Sequence, residues 1–238
     1  MFADMGSKPL ELGEGVTMLV GKMFEGLYEL DNQVNMIMNP TGKIDYPAQT
    51  CKDIKMSWPD SKNGDYWIDP NGGAIGDKMK VWCNMTGDGA TCVYPLDRTR
   101  RSPQAFHKLE KNNNFFGGLE NGFSIEYPDA IQLRFLREHS DRATQTFTYY
   151  CKNSVAWKNP VGDKSKALVL EGANKFQFKT AKWKNVIDGC QTNSGNGKAI
   201  FELNTSKVQR LPLVDFMPRD YGQPDQEFGF EVGPVCFL

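Results

Sequence analysis

Gly64-Asp65-Tyr66-Trp67-Ile68-Asp69-Pro70-Asn71-Gly72-Gly73 lies between the first two of six cysteines, and this run and its cysteine frame decide how the chain is read. The cysteines are spread from Cys51 through Cys83, Cys92, Cys151 and Cys190 to Cys236, close to the final Phe237-Leu238. None of the spacings is the CxxC of a zinc site or a thioredoxin-type motif. An even set of this kind predicts disulfides and an extracellular setting. Six cysteines permit many pairings, and spacing alone selects none of them.

Around that frame, 238 residues allow one large domain or two small ones, and 39% hydrophobic with 12% aromatic residues suffice for a packed core. The 28 basic and 29 acidic residues leave a formal net charge of −1. Such a balance creates no field that would draw in nucleic acid or an anionic membrane surface, so neither is expected as a partner. No apolar run approaches the ~20 residues needed to span a bilayer. The first residues, Met1-Phe2-Ala3-Asp4-Met5-Gly6-Ser7-Lys8, lack the basic and apolar regions of a secretory signal. With an oxidised cysteine frame, this leads to the expectation of a C-terminal piece of a longer secreted precursor.

Upstream of Cys51, the apolar residues Val16, Val20, Met23, Leu27, Leu30, Val34 and Ile37 fall at alternating spacings of four and three. Placing Val20, Leu27 and Val34 at a, and Val16, Met23, Leu30 and Ile37 at d, makes about three heptads, near the minimum for a coiled coil. A single amphipathic helix packed on its own domain fits the same periodicity. Gly21 and Gly26 weaken that helix by about 1 kcal/mol each relative to alanine, so a helix this marginal needs partners. Asn39-Pro40 ends it, because the residue before proline is pushed out of the α region.

Downstream of Cys51 the pattern becomes alternation, and Phe123–Tyr127, Ile131–Phe135 and Lys198–Leu203 read as half-buried strands. Ala167–Leu170 and Phe176–Phe178 add shorter ones, separated by turn-rich pieces such as Asn193-Ser194-Gly195-Asn196-Gly197. The expected class is α+β, with a helical stalk in 1–50 followed by a β-rich domain in 51–238.

Several ordered blocks carry a resemblance. Cys51-Lys52-Asp53-Ile54, the GDYWIDPN run, Met79-Lys80-Val81-Trp82-Cys83-Asn84-Met85, Thr91-Cys92-Val93-Tyr94-Pro95, Tyr150-Cys151-Lys152-Asn153-Ser154 and Asp188-Gly189-Cys190 resemble the fibrillar collagen C-propeptide. So do Arg210-Leu211-Pro212, Gln226-Glu227-Phe228-Gly229 and the closing Pro234-Val235-Cys236-Phe237-Leu238. The match runs in order from about Leu27 to Leu238, and cysteines in register make it far more specific than any single motif. The resemblance implies a trimer with a coiled-coil stalk, a base and three petals similar to fibrinogen-like domains. The chain contains no Gly-X-Y repeat, so any collagen triple helix is expected upstream of Met1.

Asp69, Asn71 and Asp77 put three hard oxygen side chains in a segment that also holds Gly72, Gly73 and Gly76. Calcium takes six to eight oxygen ligands in flexible geometry, whereas an Asx-rich turn explains the same residues without a metal. The resemblance favours the metal. It implies calcium held by the side chains of Asp69, Asn71 and Asp77 and by main-chain oxygens at Gly72 and Ala74. Ala74 stands where relatives often carry cysteine, a change that leaves a carbonyl ligand intact. The ion's expected role is structural, gluing a loop near the threefold contact.

Relatives typically have eight cysteines, and the resemblance implies the pairs Cys51 with Cys83, Cys92 with Cys236, and Cys151 with Cys190. The two absent cysteines map to Ser57 and Ala74, which in relatives form the interchain bridge. A noncovalent trimer is therefore expected. Closing the Cys92 to Cys236 loop should stabilise the fold by about 4 to 5 kcal/mol in the chain-entropy view.

Ala3-Asp4 resembles the family's release site, where a tolloid-type metalloprotease cuts before an aspartate. Arg98-Thr99-Arg100-Arg101 looks like a furin-type site, though a solvated loop is the plainer reading. Asn84-Met85-Thr86 and Asn204-Thr205-Ser206 are glycosylation acceptors, the first beside Cys83. His107 and His139 are the only imidazoles and neither sits in a nucleophile motif, so no enzyme is expected.

The leading expectation is a trimerisation and chain-registration module of a fibrillar procollagen, assembled in the endoplasmic reticulum, secreted to the extracellular matrix and removed before fibril assembly. Its partners would be two further procollagen chains, with a homotrimer as the default. The alternative is a secreted, calcium-dependent recognition module of the fibrinogen-like kind.

Overall fold

The computed structural model describes residues 14–72, 75–96, 106–184, 186–192 and 194–238, with the side chains of 14–17 and 75 left out. The heptad segment forms one helix, α1, over Glu14–Met38. It stops at Asn39, whose N–H still reaches the Asn35 carbonyl at 2.9 Å, because Pro40 has no N–H to continue the ladder. Val20, Met23, Leu27, Leu30, Val34 and Ile37 are all exposed, from 41% at Val20 to 78% at Ile37. The described part of the seam, Val20 to Ile37, is therefore not packed on its own domain.

Beyond Pro40 the chain docks onto the globular part. Trp67 N–H donates to the Gly42 carbonyl at 2.7 Å, and Gly42 N–H donates to the Tyr46 carbonyl at 3.0 Å. Gly42 has φ +69°, and a Cβ there would lie 2.5 Å from Ile54 Cδ1 and 2.7 Å from Tyr66 Cδ1. Only glycine fits this corner. Helix α2, Cys51–Ser57, begins with a capping box in which Thr50 Oγ1 accepts from Asp53 N–H at 3.3 Å and Asp53 Oδ2 accepts from Thr50 N–H at 2.9 Å.

Among the described residues, ten strands follow in two antiparallel sheets. They are β1 (Gly64–Ile68), β2 (Met79–Asn84), β3 (Ala90–Val93), β4 (Ala143–Lys152), β5 (Val169–Gly172), β6 (Gln177–Lys179), β7 (Ile187–Asp188), β8 (Asn196–Thr205), β9 (Leu213–Met217) and β10 (Glu227–Phe237). The large sheet runs β1-β2-β3-β10-β4-β8-β7 and the small one β6-β5-β9. Because β10 lies between β3 and β4, the last strand of the chain is the centre of the main sheet. The N-terminal and C-terminal halves of the domain are thereby tied into one core.

Alternation along β4 buries Ala143, Gln145, Phe147, Tyr149 and Cys151. Phe147 meets Phe216 and Phe230, with centroids 5.0 and 6.1 Å away, and these two pack in turn with Phe116 and Phe228 in an aromatic core whose closest centroids, those of Phe216 and Phe230, are 4.6 Å apart. The polar exception, Gln145, is fully used: Nε2 donates to Tyr127 Oη at 2.7 Å and to the Gly233 carbonyl at 2.9 Å, and Oε1 accepts from Leu213 N–H at 2.8 Å. Gly233 lies at the register shift of β10, so this one amide ties the bulge to β9.

Two strand expectations are corrected. Ile131–Phe135 lies inside a helix, α3, over Ala130–Glu138. Asp129 caps it through Oδ1, which accepts from the N–H groups of Ile131 and Gln132 at 3.1 and 2.9 Å, and the buried set Gln132, Leu133 and Leu136 follows helical rather than strand spacing. Phe123–Tyr127 belongs to no strand of either sheet, and Ile125 N–H bonds the Val214 carbonyl of β9 at 2.8 Å. Lys198–Leu203 is within β8, and the Ala167–Leu170 and Phe176–Phe178 readings overlap β5 and β6. The protein is thus a mixture of helix and sheet with a β-rich, disulfide-bonded domain.

Candidate functional site

The loop between β1 and β2 is closed by their pairing, which sets Ile68 opposite Met79 and so brings Asp69 near Asp77. Asp69 leaves the strand with its N–H bonded to the Ala48 carbonyl at 2.7 Å, and its own carbonyl accepts from Gly72 N–H at 3.0 Å. Gly72 has φ +61°, a left-handed position that suits glycine. Asn71 Nδ2 donates to Asp77 Oδ2 at 2.8 Å. Three of the five residues expected to hold a metal, Asp69, Asn71 and Asp77, therefore share one turn with Gly72. The fifth, Ala74, lies outside the described residues.

The electrostatics of this turn are unfinished. Asp69 is buried at 5% exposure, and burial pushes its carboxyl above the usual aspartate range. The Gln132 hydrogen bond works against that shift, the neighbouring Asp77 charge adds to it, and Lys78 lowers it. Asp77 Oδ1 is buried without a hydrogen-bond partner. A desolvated carboxylate and an orphaned carboxylate oxygen in one turn are what a cation would satisfy. Only two carboxylates converge, and no trio of His, Cys, Asp or Glu among the described residues is grouped to hold a metal. An ion here would depend on amide and main-chain oxygens for the rest of its shell, which suits calcium better than a transition metal.

Two residues that local sequence did not single out touch this loop. Gln132 on α3, fully buried, donates from Nε2 to Asp69 Oδ1 at 2.9 Å and accepts at Oε1 from Asn71 N–H at 3.2 Å. His139 Nε2 lies 2.9 Å from the Pro70 carbonyl, which can only accept, so the ring nitrogen donates. Both lie more than sixty positions away in the chain, so nothing in the local motif could point to them.

On α1 the exposed apolar set is wider than the heptad. Leu19 precedes a position a and Phe24 and Met38 follow positions d, at 61%, 68% and 69% exposure, flanking the seam on either side. Met18 and Tyr28 are exposed as well. Val16 belongs to the helix, but its side chain lies outside the described residues.

The six cysteines form three disulfides. Cys51–Cys83 ties α2 to β2, Cys92–Cys236 joins neighbouring strands β3 and β10, and Cys151–Cys190 ties β4 to the segment after β7. None of the six is free. Ser57 is half-buried in the last turn of α2. Asn204 is exposed near the end of β8, whereas Asn84 is half-buried at the end of β2, with Oδ1 accepting from Thr86 N–H at 3.0 Å. Ala3, Asp4 and the basic stretch Arg98 to Arg101 lie outside the described residues. No helix among the described residues is long and apolar enough to cross a membrane.

Residues 20–237 match the family model of the fibrillar collagen C-terminal domain. The collagen alpha-1(I) chain of Gallus gallus is 43% identical over 231 aligned residues, covering 89% of this chain and 16% of that relative. This chain therefore spans well under a fifth of the length of the curated relative it matches.

Proposed function

Because the chain belongs to the fibrillar collagen C-terminal domain family, we propose that it is the trimerisation and chain-registration module of a fibrillar procollagen. The family is structural and non-enzymatic, and so is this chain. The observation that carries the assembly reading is α1: its seam from Val20 to Ile37 is exposed throughout, although an isolated helix with Gly21 and Gly26 is marginal in water. Two further copies of the same helix would cover that seam through a and d packing and offset the helix's intrinsic weakness. With no free cysteine, such a trimer would be noncovalent.

In this reading the chain associates with other procollagen chains in the secretory pathway and belongs to the extracellular matrix. A tolloid-type metalloprotease would cut before Asp4, and Asn204, the more exposed of the two acceptors, would carry glycan in preference to Asn84. Calcium, held by Asp69, Asn71 and Asp77 with carbonyls at Gly72 and Ala74, would supply positive charge to the two carboxylates. The chain's own residues shape the turn that receives it. Lysine crosslinking of the oxidised chain in dilute solution tests assembly: a trimer band is expected, and monomer alone would oppose it.

A further inference from the structure

Three consecutive residues of the candidate calcium loop are held by one helix. Gln132 near the start of α3 binds the Asp69 carboxylate at 2.9 Å and the Asn71 N–H at 3.2 Å, and His139 at its C-terminal end binds the Pro70 carbonyl at 2.9 Å. We infer that Gln132 and His139 are positioning residues for the cation loop, setting its affinity and its preference for calcium. The inference rests on the calcium reading above and extends it to residues outside the ligand set.

The physical case has two parts. First, Gln132 is 0% exposed, and a buried amide is tolerated only where its hydrogen bonds are made. Both ends of this amide go to the loop: the carbonyl end fixes a main-chain N–H, and the amino end fixes a carboxylate oxygen. Loss of that amide would remove a hydrogen bond from Asp69 and from Asn71 together. Second, α3 is itself anchored, by the Asp129 cap at one end and by Arg137 Nε donating to the Leu211 carbonyl at 3.0 Å towards the other. The grip is therefore rigid, as a support for ligand geometry must be.

Calcium tolerates longer and more variable oxygen distances than magnesium, so a loop held open at fixed points favours the larger ion, and a slack loop loses the distinction. His139 does this from the helix end, where a substitution leaves the core untouched.

The test is calorimetric titration of the oxidised full chain with calcium chloride and with magnesium chloride, comparing the parent with Gln132→Met, His139→Ala and His139→Gln. We expect Gln132→Met and His139→Ala to weaken calcium binding by about 10-fold or more while magnesium binding changes less, the size usual for residues that orient metal ligands. His139→Gln, which keeps a donor for the Pro70 carbonyl, should restore most of the affinity. The melting temperature of His139→Ala in chelator should stay within about 2 °C of the parent, separating loop positioning from stability. If Gln132→Met fails to fold, the two His139 variants decide the matter. A parent that binds calcium while both His139 variants bind within about twofold of it overturns this inference and leaves the calcium reading standing. A parent that takes up no calcium overturns both.

Discussion

Cys236 stands directly opposite Cys92 across β10 and β3, and their disulfide closes a loop of 144 positions. The bridge joins the final strand to the N-terminal part of the large sheet, while β10 also pairs with β4 on its other side. Most of the domain lies within that loop, so the fold depends on this bridge more than on either of the others.

Cys92→Ser with Cys236→Ser should therefore cost about 5 kcal/mol by chain entropy, against about 4 kcal/mol for Cys51–Cys83 or Cys151–Cys190. Domains are stable by only about 5–15 kcal/mol, so a loss of this size removes much or all of the margin, and the variant is expected to be retained in the cell rather than secreted. Secreted yields of the three paired-cysteine variants, measured side by side, check the ranking.

Asp69 carries a pH signature. Its carboxyl is raised in the folded chain, so the folded state holds the proton more tightly than the unfolded one. By linkage its contribution to stability falls as pH rises from the ordinary aspartate value through the raised folded value, and above that the penalty is complete. In chelator at pH 7, Asp69→Asn should melt higher than the parent, the gap closing as pH falls through that window. With calcium the parent should gain stability and the variant should not. Melting curves across pH, with and without calcium, read both effects.

His107 has the opposite sign. It sits with centroids 4.9 Å from Phe116 and 5.5 Å from Phe228, and burial pushes its imidazole below the usual histidine value. Stability from the neutral ring is present above the unfolded value of 6.5 and is lost as pH falls from there through the lowered folded value. His107→Phe should melt with less dependence on pH over that acidic range. The slope of melting temperature against pH below 6.5 is the readout.

Truncating the seam should dissolve the assembly without unfolding the domain. Leu27→Ala or Leu30→Ala would remove about 2–5 kcal/mol of packing per copy from a trimer core, yet these side chains are 60% and 59% exposed in the single chain. Sedimentation is expected to report monomer for the variants, and circular dichroism a globular domain that melts as before. A domain that melts lower in either variant would place the seam on the domain instead.

Much of this architecture was legible because some segments repeat a period long enough to be unambiguous. Helix α1 carries the four-three spacing across the whole of Val16 to Ile37, and β8 alternates through Lys198 to Leu203. Ile131 to Phe135 misled because five residues that alternate fit either period, and one of the two polar residues among them, Gln132, is buried against the loop rather than turned to water. Pro128-Asp129 was the available sign, a proline followed by a capping residue. In the candidate site, Asp69, Asn71 and Asp77 stood out as candidate oxygen ligands because they lie near glycines. Gln132 and His139 did not, because only the packing of α3 against the β1–β2 loop brings them there.

The most direct test of the account is the mass of the oxidised, secreted chain by light scattering after size exclusion, in calcium and then in chelator, with a non-reducing gel alongside. A noncovalent, calcium-stabilised trimer gives three times the 26.8 kDa chain mass in calcium, a fall on chelation and a monomer band on the gel. A monomer in both buffers, or a disulfide-linked oligomer on the gel, would contradict it.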